Sequence, residues 1–280
     1  MNRRDFGRMS ATATLAALLP PVNEARAQQT SAPSADQQMA DAMTRHANLI
    51  GGPHLTIAML PYPGMYLQDL VGPLTMFEAL LNRDVHLVWK NKEPIAAGRS
   101  IHLTPTTTFK DCPADVDVLF VPGGMPGTLA MMEDTEVLGF LAERGKTAKY
   151  ITSVCTGSLI LGAAGLLKGY KATSYWNVRD VLSVFGAVPT DGRVVIDRNR
   201  ITGGGVTAGL DFGLAVIAQL RSQAYAEAVQ LYVEYDPHPP FNAGSPKTAP
   251  REAQQFLDDM FGSVVGATRD AAVRAQKRLG

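Results

Sequence analysis

The sequence predicts an α/β domain, a mostly parallel sheet covered by helices on both faces. From His54 onward, short apolar runs alternate with helix-length segments. The runs are apolar on both faces, as strands buried inside a parallel sheet must be. The chain of 280 residues, 46% hydrophobic and 19% charged, is long enough to bury a substantial core and fits neither a disordered nor a collagen-like protein.

The first 27 residues read as an export segment. Arg3 and Arg4 lead into Phe6, an apolar stretch runs from Ala11 to Pro20, and Ala25-Arg26-Ala27 offers a small-x-small cleavage site. The arginine pair is twin-arginine-like, so the expected destination is the periplasm or the outside of the cell. Residues 28–53, rich in Gln, Ser, Ala and Pro, read as a tether or weak helix. No later stretch reaches the roughly 18 apolar residues of a membrane span, so no stable membrane insertion is expected after cleavage.

Residues 54–280 are expected to form one domain. Strands are predicted at Leu55–Leu60, Val85–Trp89, Val116–Val121 and Tyr150–Val154. Helices are predicted at Pro73–Leu81, Thr135–Arg144, Thr156–Leu167, Asn177–Phe185, Ala208–Arg221 and Ala224–Glu234. Ile101–Phe109 and Arg193–Ile201 carry the β-rich, turn-flanked pattern of antiparallel excursions or edge strands. The Pro-rich run Asp236–Pro246 excludes regular helix, and a final helix from Arg251 to Lys277 closes the chain.

Charge and histidine content narrow the function. Twenty-six Lys and Arg balance 26 Asp and Glu, so no net basic field draws nucleic acid or anionic lipid. The five histidines (His46, His54, His86, His102 and His238) are scattered, without HExxH or a closely spaced Cys/His pair, so no metal site is expected. The 34 residues after Pro246 are too few for the paired DNA-binding modules of a transcription regulator.

The strongest chemical signal is Lys149–Leu161, in which a β-branched strand runs into Cys155 and then into a helix start of small residues. That places Cys155 on a nucleophile elbow, where small neighbours leave the side chain free and a helix N-terminus favours the thiolate. A buried cysteine acting as a small hydrophobe fits the same residue type. Cys112, in a loop before a strand, lacks the elbow and reads as structural, and a Cys112–Cys155 bridge would remove the nucleophile. Asp69 follows the first strand, at the carboxyl edge where the Cys155 turn also lies, so the two can meet. It can exchange a proton with the thiol or cap the following helix.

The Gly-rich turns Val121–Gly127 and Thr202–Gly209 also follow strands; their backbone can approach a ligand or serve architecture alone. Neither has the glycine spacing of a dinucleotide or phosphate loop. Tyr175 and Trp176 stand where a Cys-His enzyme would place its base, and read as a pocket wall or core.

Taken together, Asp69–Pro73, Val121–Gly124, Thr152–Ser158, Gly203–Gly209 and Pro239–Pro246 resemble the PfpI branch of the class I glutamine amidotransferase-like superfamily, in particular its isonitrile-hydrating members. The similarity runs from about Leu55 to Pro250. It implies a flavodoxin-like three-layer sandwich, a homodimer and a small-molecule substrate. It also implies hydration of an isonitrile to an N-substituted formamide without a cofactor. Cys155 would be the nucleophile and Asp69 its acid/base partner, with Thr156 assisting. The backbone at Gly124, Gly204 and Val206, together with Tyr175 and Trp176, would shape the pocket. Tyr175 departs from the family pattern, which commonly has His before the Trp. An exported cysteine redox or stress-response protein, or another PfpI-type hydrolase or glyoxalase-like activity, is the alternative.

Overall fold

The structure, a computed structural model, describes residues 33–98 and 100–279; the expected export segment and the first residues of the tether lie outside the described residues. The chain divides into Met1–Arg45 and His46–Gly280. Within the first unit, α1 (Ala35–Arg45) is a polar helix that buries no residue, as the weak-helix reading of that stretch allows.

The second unit runs α2 (Ala47–Ile50), β1 (Leu55–Met59), α3 (Leu67–Glu78), β2 (Arg83–Trp89), β3 (Ile95–Ala96), β4 (His102–Leu103), β5 (Thr107–Thr108), β6 (Val118–Val121), α4 (Gly127–Met131), α5 (Thr135–Arg144) and β7 (Tyr150–Val154). It continues with α6 (Gly157–Ala163), β8 (Lys171–Ala172), a 3-10 helix (Arg179–Phe185), β9 (Val188–Pro189), β10 (Val194–Asp197), β11 (Arg200–Gly203), α7 (Ala208–Leu220), α8 (Gln223–Tyr232) and α9 (Arg251–Arg278). The main sheet has the order β10-β11-β7-β6-β1-β2-β5 and is parallel except for β10.

Register shows how two helical layers sandwich the sheet. Phe120 of β6 packs against Phe77 of α3 and Phe212 of α7 on one face. Leu119, Ile151 and Arg200 share the opposite face by pairing, and there Arg200 Nε donates to Leu166 O just beyond α6. On that side α6 also packs against α5, the 3-10 helix and α9. The expected three-layer arrangement is therefore realised.

The structure differs from the sequence reading at several elements. The first long helix starts at Leu67 rather than Pro73, so Asp69 lies inside its first turn instead of ahead of it. Pro73 lies within the helix, and α7 packs closely over it: a Cβ at Gly209 would stand 3.0 Å from Pro73 Cδ, and one at Gly213 2.7 Å from Met76 Cβ. The segment ending at Phe185 is a 3-10 helix, and α6 is shorter than predicted because Gly165, at φ +77°, turns the chain. Of the two expected excursions, Ile101–Phe109 holds β4, antiparallel to β3, and β5, a parallel edge strand beside β2, whereas Arg193–Ile201 holds β10, an antiparallel edge strand, and the start of β11, which lies parallel beside β7. Asp236–Pro246 forms no regular element.

Candidate active site

Strands β1, β6, β7 and β11 all release their chains at one edge of the sheet. From β1 the order runs outward to β2 on one side and to β6 on the other, so this edge carries a topological switch point between β1 and β6. Asp69, the Pro122–Gly124 loop, Cys155 and the Gly204–Val206 loop are delivered there.

Cys155 has φ +54°, a left-handed conformation that β-branched and most other side chains avoid, and one associated with strain held at functional sites. Its neighbours over-determine that conformation. The Cys155 N–H donates to Gly203 O and Gly204 O, both at 3.0 Å, and its carbonyl accepts from Ser158 Oγ at 3.1 Å and Ser174 Oγ at 3.0 Å. Glycines leave the space around the sulfur: a Cβ at Gly205 would stand 3.0 Å from Cys155 Sγ and 2.6 Å from the Tyr175 ring, which would have to shift, and one at Gly123 2.8 Å from Cys155 Cβ. The residue is 5% exposed, and both cysteines are free thiols, so the bridge that would have removed the nucleophile is absent.

Asp69 is fully buried, and neither carboxyl oxygen has a partner of full hydrogen-bond geometry. Burial pushes its pKa up to about 7; the neighbouring Cys155 thiol and Gly123 N–H stand near enough to oppose that rise. Asp69 is not a helix cap, because Tyr66 occupies the N-cap position of α3. Burial, reinforced by the Asp69 charge, holds the Cys155 thiol well above its ordinary value. Contrary to the expected thiolate, burial and the Asp69 carboxylate raise the thiol pKa against the hydrogen bonds of Thr156 at the helix start, which lower it.

The other expected site residues separate into two groups. Tyr175 borders the sulfur across Gly205, and the Gly205 and Val206 amides carry no hydrogen bond among the described residues. By contrast, the Gly124 N–H is taken by Thr156 Oγ1 at 2.9 Å and the Gly204 N–H by Arg193 O at 2.9 Å, so neither amide is free to face a substrate. Trp176 lines a separate cleft with Ala243–Pro246. A cleft of about 390 Å³ opens beside Tyr66 and Gln68, and one of about 740 Å³ lies between Thr207, Arg193 and the Pro237–Ser245 segment.

Two buried side chains that the sequence reading did not single out, Tyr62 and Thr128, join Thr156 in one hydrogen-bonded line. Pro61-Tyr62-Pro63 after a strand reads as a core aromatic, and Thr128 sits in a five-residue helix, so neither carries a local signal. Among the described residues no three His, Cys, Asp or Glu side chains stand together to hold a metal, and no helix is long and apolar enough to cross a membrane.

Comparison with known proteins places this arrangement. The profile of the DJ-1/PfpI family matches residues 56–219. An isonitrile hydratase of Pseudomonas putida is 48% identical over 70% of this chain and 85% of its own length. The HTH-type transcriptional regulator GbdR of Pseudomonas aeruginosa is 29% identical over 61% of this chain but only 47% of its own. Among solved structures, a THiJ/PfpI family protein from Pseudomonas syringae superposes with a TM-score of 0.79 at 52% identity, covering 88% of this chain and 98% of that one.

Proposed function

The chain belongs to the DJ-1/PfpI family, and on that premise we propose that it hydrates an isonitrile to an N-substituted formamide, with Cys155 as nucleophile and Asp69 as proton carrier. The observation that carries this reading is the pairing itself: a thiol on a left-handed elbow, almost fully buried, beside a fully buried carboxyl, whose pKa burial pushes up to about 7. The similarity to an isonitrile hydratase supplies the substrate class.

The thiol is not ionised at rest, so attack and deprotonation are coupled. As Cys155 Sγ bonds the terminal carbon of R–N≡C, the Asp69 carboxylate takes the S–H proton and delivers it to that same carbon. The product is a thioimidate, R–N=CH–S–Cys155. Water then adds to the imine carbon, its proton passing by way of Asp69 to nitrogen. The carbon–sulfur bond breaks, the sulfur recovers a proton, and R–NH–CHO leaves. Asp69 returns to its ionised form and no oxidant or reductant is consumed. The Gly205 amide, without a hydrogen bond among the described residues, lies beside the sulfur and is suited to stabilising developing negative charge.

The test follows cyclohexyl isonitrile loss and formamide appearance with the reduced protein. Turnover is expected, with Asp69→Asn slower by about 10²–10⁴-fold and the rate rising with pH through about 7 as Asp69 ionises. Absence of formamide from folded, reduced protein overturns the assignment for that substrate. Export through residues 1–27 and assembly as a homodimer extend the proposal. N-terminal sequencing of periplasmic protein and sedimentation of the mature chain test them.

A further inference from the structure

Three hydroxyls form a buried line behind the loop that follows β6. Tyr62 Oη lies 2.9 Å from Pro122 O and 3.2 Å from Thr128 Oγ1; Thr128 Oγ1 lies 2.6 Å from Thr156 Oγ1, which accepts the Gly124 N–H at 2.9 Å. All three side chains are at most 2% exposed. Each hydroxyl owns one proton, so the ends dictate the direction of every bond. Pro122 O can only accept, hence Tyr62 spends its proton there. Thr128 must then donate to Tyr62, and Thr156 to Thr128. The Thr156 hydroxyl also stands against the Cys155 sulfur, so its one proton is shared between Thr128 and the thiol.

The line starts and ends on the same loop, on either side of Gly123. In a trans peptide the C=O and N–H point in opposite directions. The grip of Tyr62 on the Pro122 carbonyl therefore sets the direction of the Gly123 N–H, the amide that stands beside Asp69. The grip of Thr156 on the Gly124 N–H likewise sets the Gly123 carbonyl, which accepts the Tyr66 N–H at 2.8 Å at the entrance to α3.

We propose that Tyr62 and Thr128 are positioning residues for the Cys155–Asp69 pair: Tyr62, directly at the Pro122 carbonyl, and Thr128, through Thr156, hold the two peptide planes of Gly123 and keep its N–H on the Asp69 side of the loop. The inference rests on reading Asp69 as the proton carrier. The titratable groups facing Asp69 are Cys155 from the elbow, Tyr62 from the segment after β1 and Tyr175 from the segment after β8. From α7, packed on α3, the nearest contributions are Gly209 and Gly213, while its Asp211 pairs with Arg193 and Tyr235. No Lys, Arg or His among the described residues offsets the carboxylate charge, so the Cys155 thiol first and the Gly123 N–H second favour ionisation, and of the two only the Gly123 amide is set by the backbone.

Loosening the line should let Asp69 keep its proton to higher pH. The readout is the Asp69 carboxylic-acid carbonyl band in infrared titration, identified by its loss in Asp69→Asn, together with the pH profile of Cys155 alkylation by iodoacetamide mapped by peptide mass spectrometry. Tyr62→Phe and Thr128→Val are expected to raise the Asp69 midpoint by roughly half a pH unit, about a threefold shift in its proton equilibrium. Thr128→Ser, which restores the hydroxyl, should return the midpoint of the parent protein. An unchanged midpoint in folded Thr128→Val overturns the proposal, and that variant carries the test should Tyr62→Phe fail to fold. Because no isonitrile is present, a failed formamide assay and a failed midpoint shift are separate results.

Discussion

Cys155 and Cys112 are both buried free thiols, exposed by 5% and 4%, and burial raises both above the ordinary thiol value. Their neighbours differ in sign. Arg144 stands beside Cys112 and opposes the rise, and its Nη2 also donates to Cys112 O at 3.2 Å. Asp69 stands beside Cys155 and adds to the rise. By electrostatics alone, Cys112 would be the better thiolate. The comparison teaches that what sets Cys155 apart from Cys112 is a carboxyl at its side and a left-handed backbone, not a depressed pKa, and on the proposed mechanism those two features select the reacting sulfur.

The sharpest way to break this comparison is to remove each sulfur in turn. Cys155→Ala is expected to lower formamide production by about 10⁴-fold or more while leaving the fold intact. Cys112→Ala should keep the turnover number and lose only about 1–2 kcal/mol of stability as a small cavity opens. Steady-state kinetics and thermal melts of both variants check this, and comparable activity losses would refute the distinction.

The next effect concerns what Asp69 costs the fold. Its folded pKa of about 7 lies above the unfolded value of about 3.8, so its contribution is fully present below pH about 4 and is lost as pH rises through about 7. The penalty of holding the buried carboxylate ionised above that window is on the order of 4 kcal/mol. Asp69→Asn should therefore gain stability relative to the parent as pH rises from 4 to 8, by several degrees in Tm. Parallel melting curves at pH 4.5 and pH 8 would show it, and a difference independent of pH would contradict the environment described for Asp69.

The smallest effect probes the glycine lining of the sulfur, which Cys112 lacks. Gly205→Ala places a methyl 2.6 Å from the Tyr175 ring and 3.0 Å from Cys155 Sγ, so the ring must shift. A drop of roughly tenfold in kcat/KM is expected with little change in Tm. Cys155 alkylation should slow in step. Unchanged kinetics would show that Tyr175 does not border the reaction path.

Much of the candidate site was legible because its signals are local. Tyr150–Val154 running into Cys155-Thr156-Gly157 is a strand, turn and helix start written within one short stretch, and the parallel-sheet argument put Asp69 on the same edge. The start of α3 was misread because Pro73 normally opens a helix, whereas here it sits in the interior of Leu67–Glu78. The expected Gly124 and Gly204 amides were legible as loop backbone, but which partners would take them was not.

By itself, the sequence determined the α/β class, the cysteine elbow and the carboxyl edge, since hydrophobic period, small residues and turn chemistry act over a few neighbouring positions. Only the tertiary structure decided how deeply the pair is buried and the meeting of Tyr62, Thr128 and Thr156. Desolvation and hydrogen-bond direction depend on groups up to 94 residues apart in the chain, and no local pattern encodes how deeply those groups are buried together.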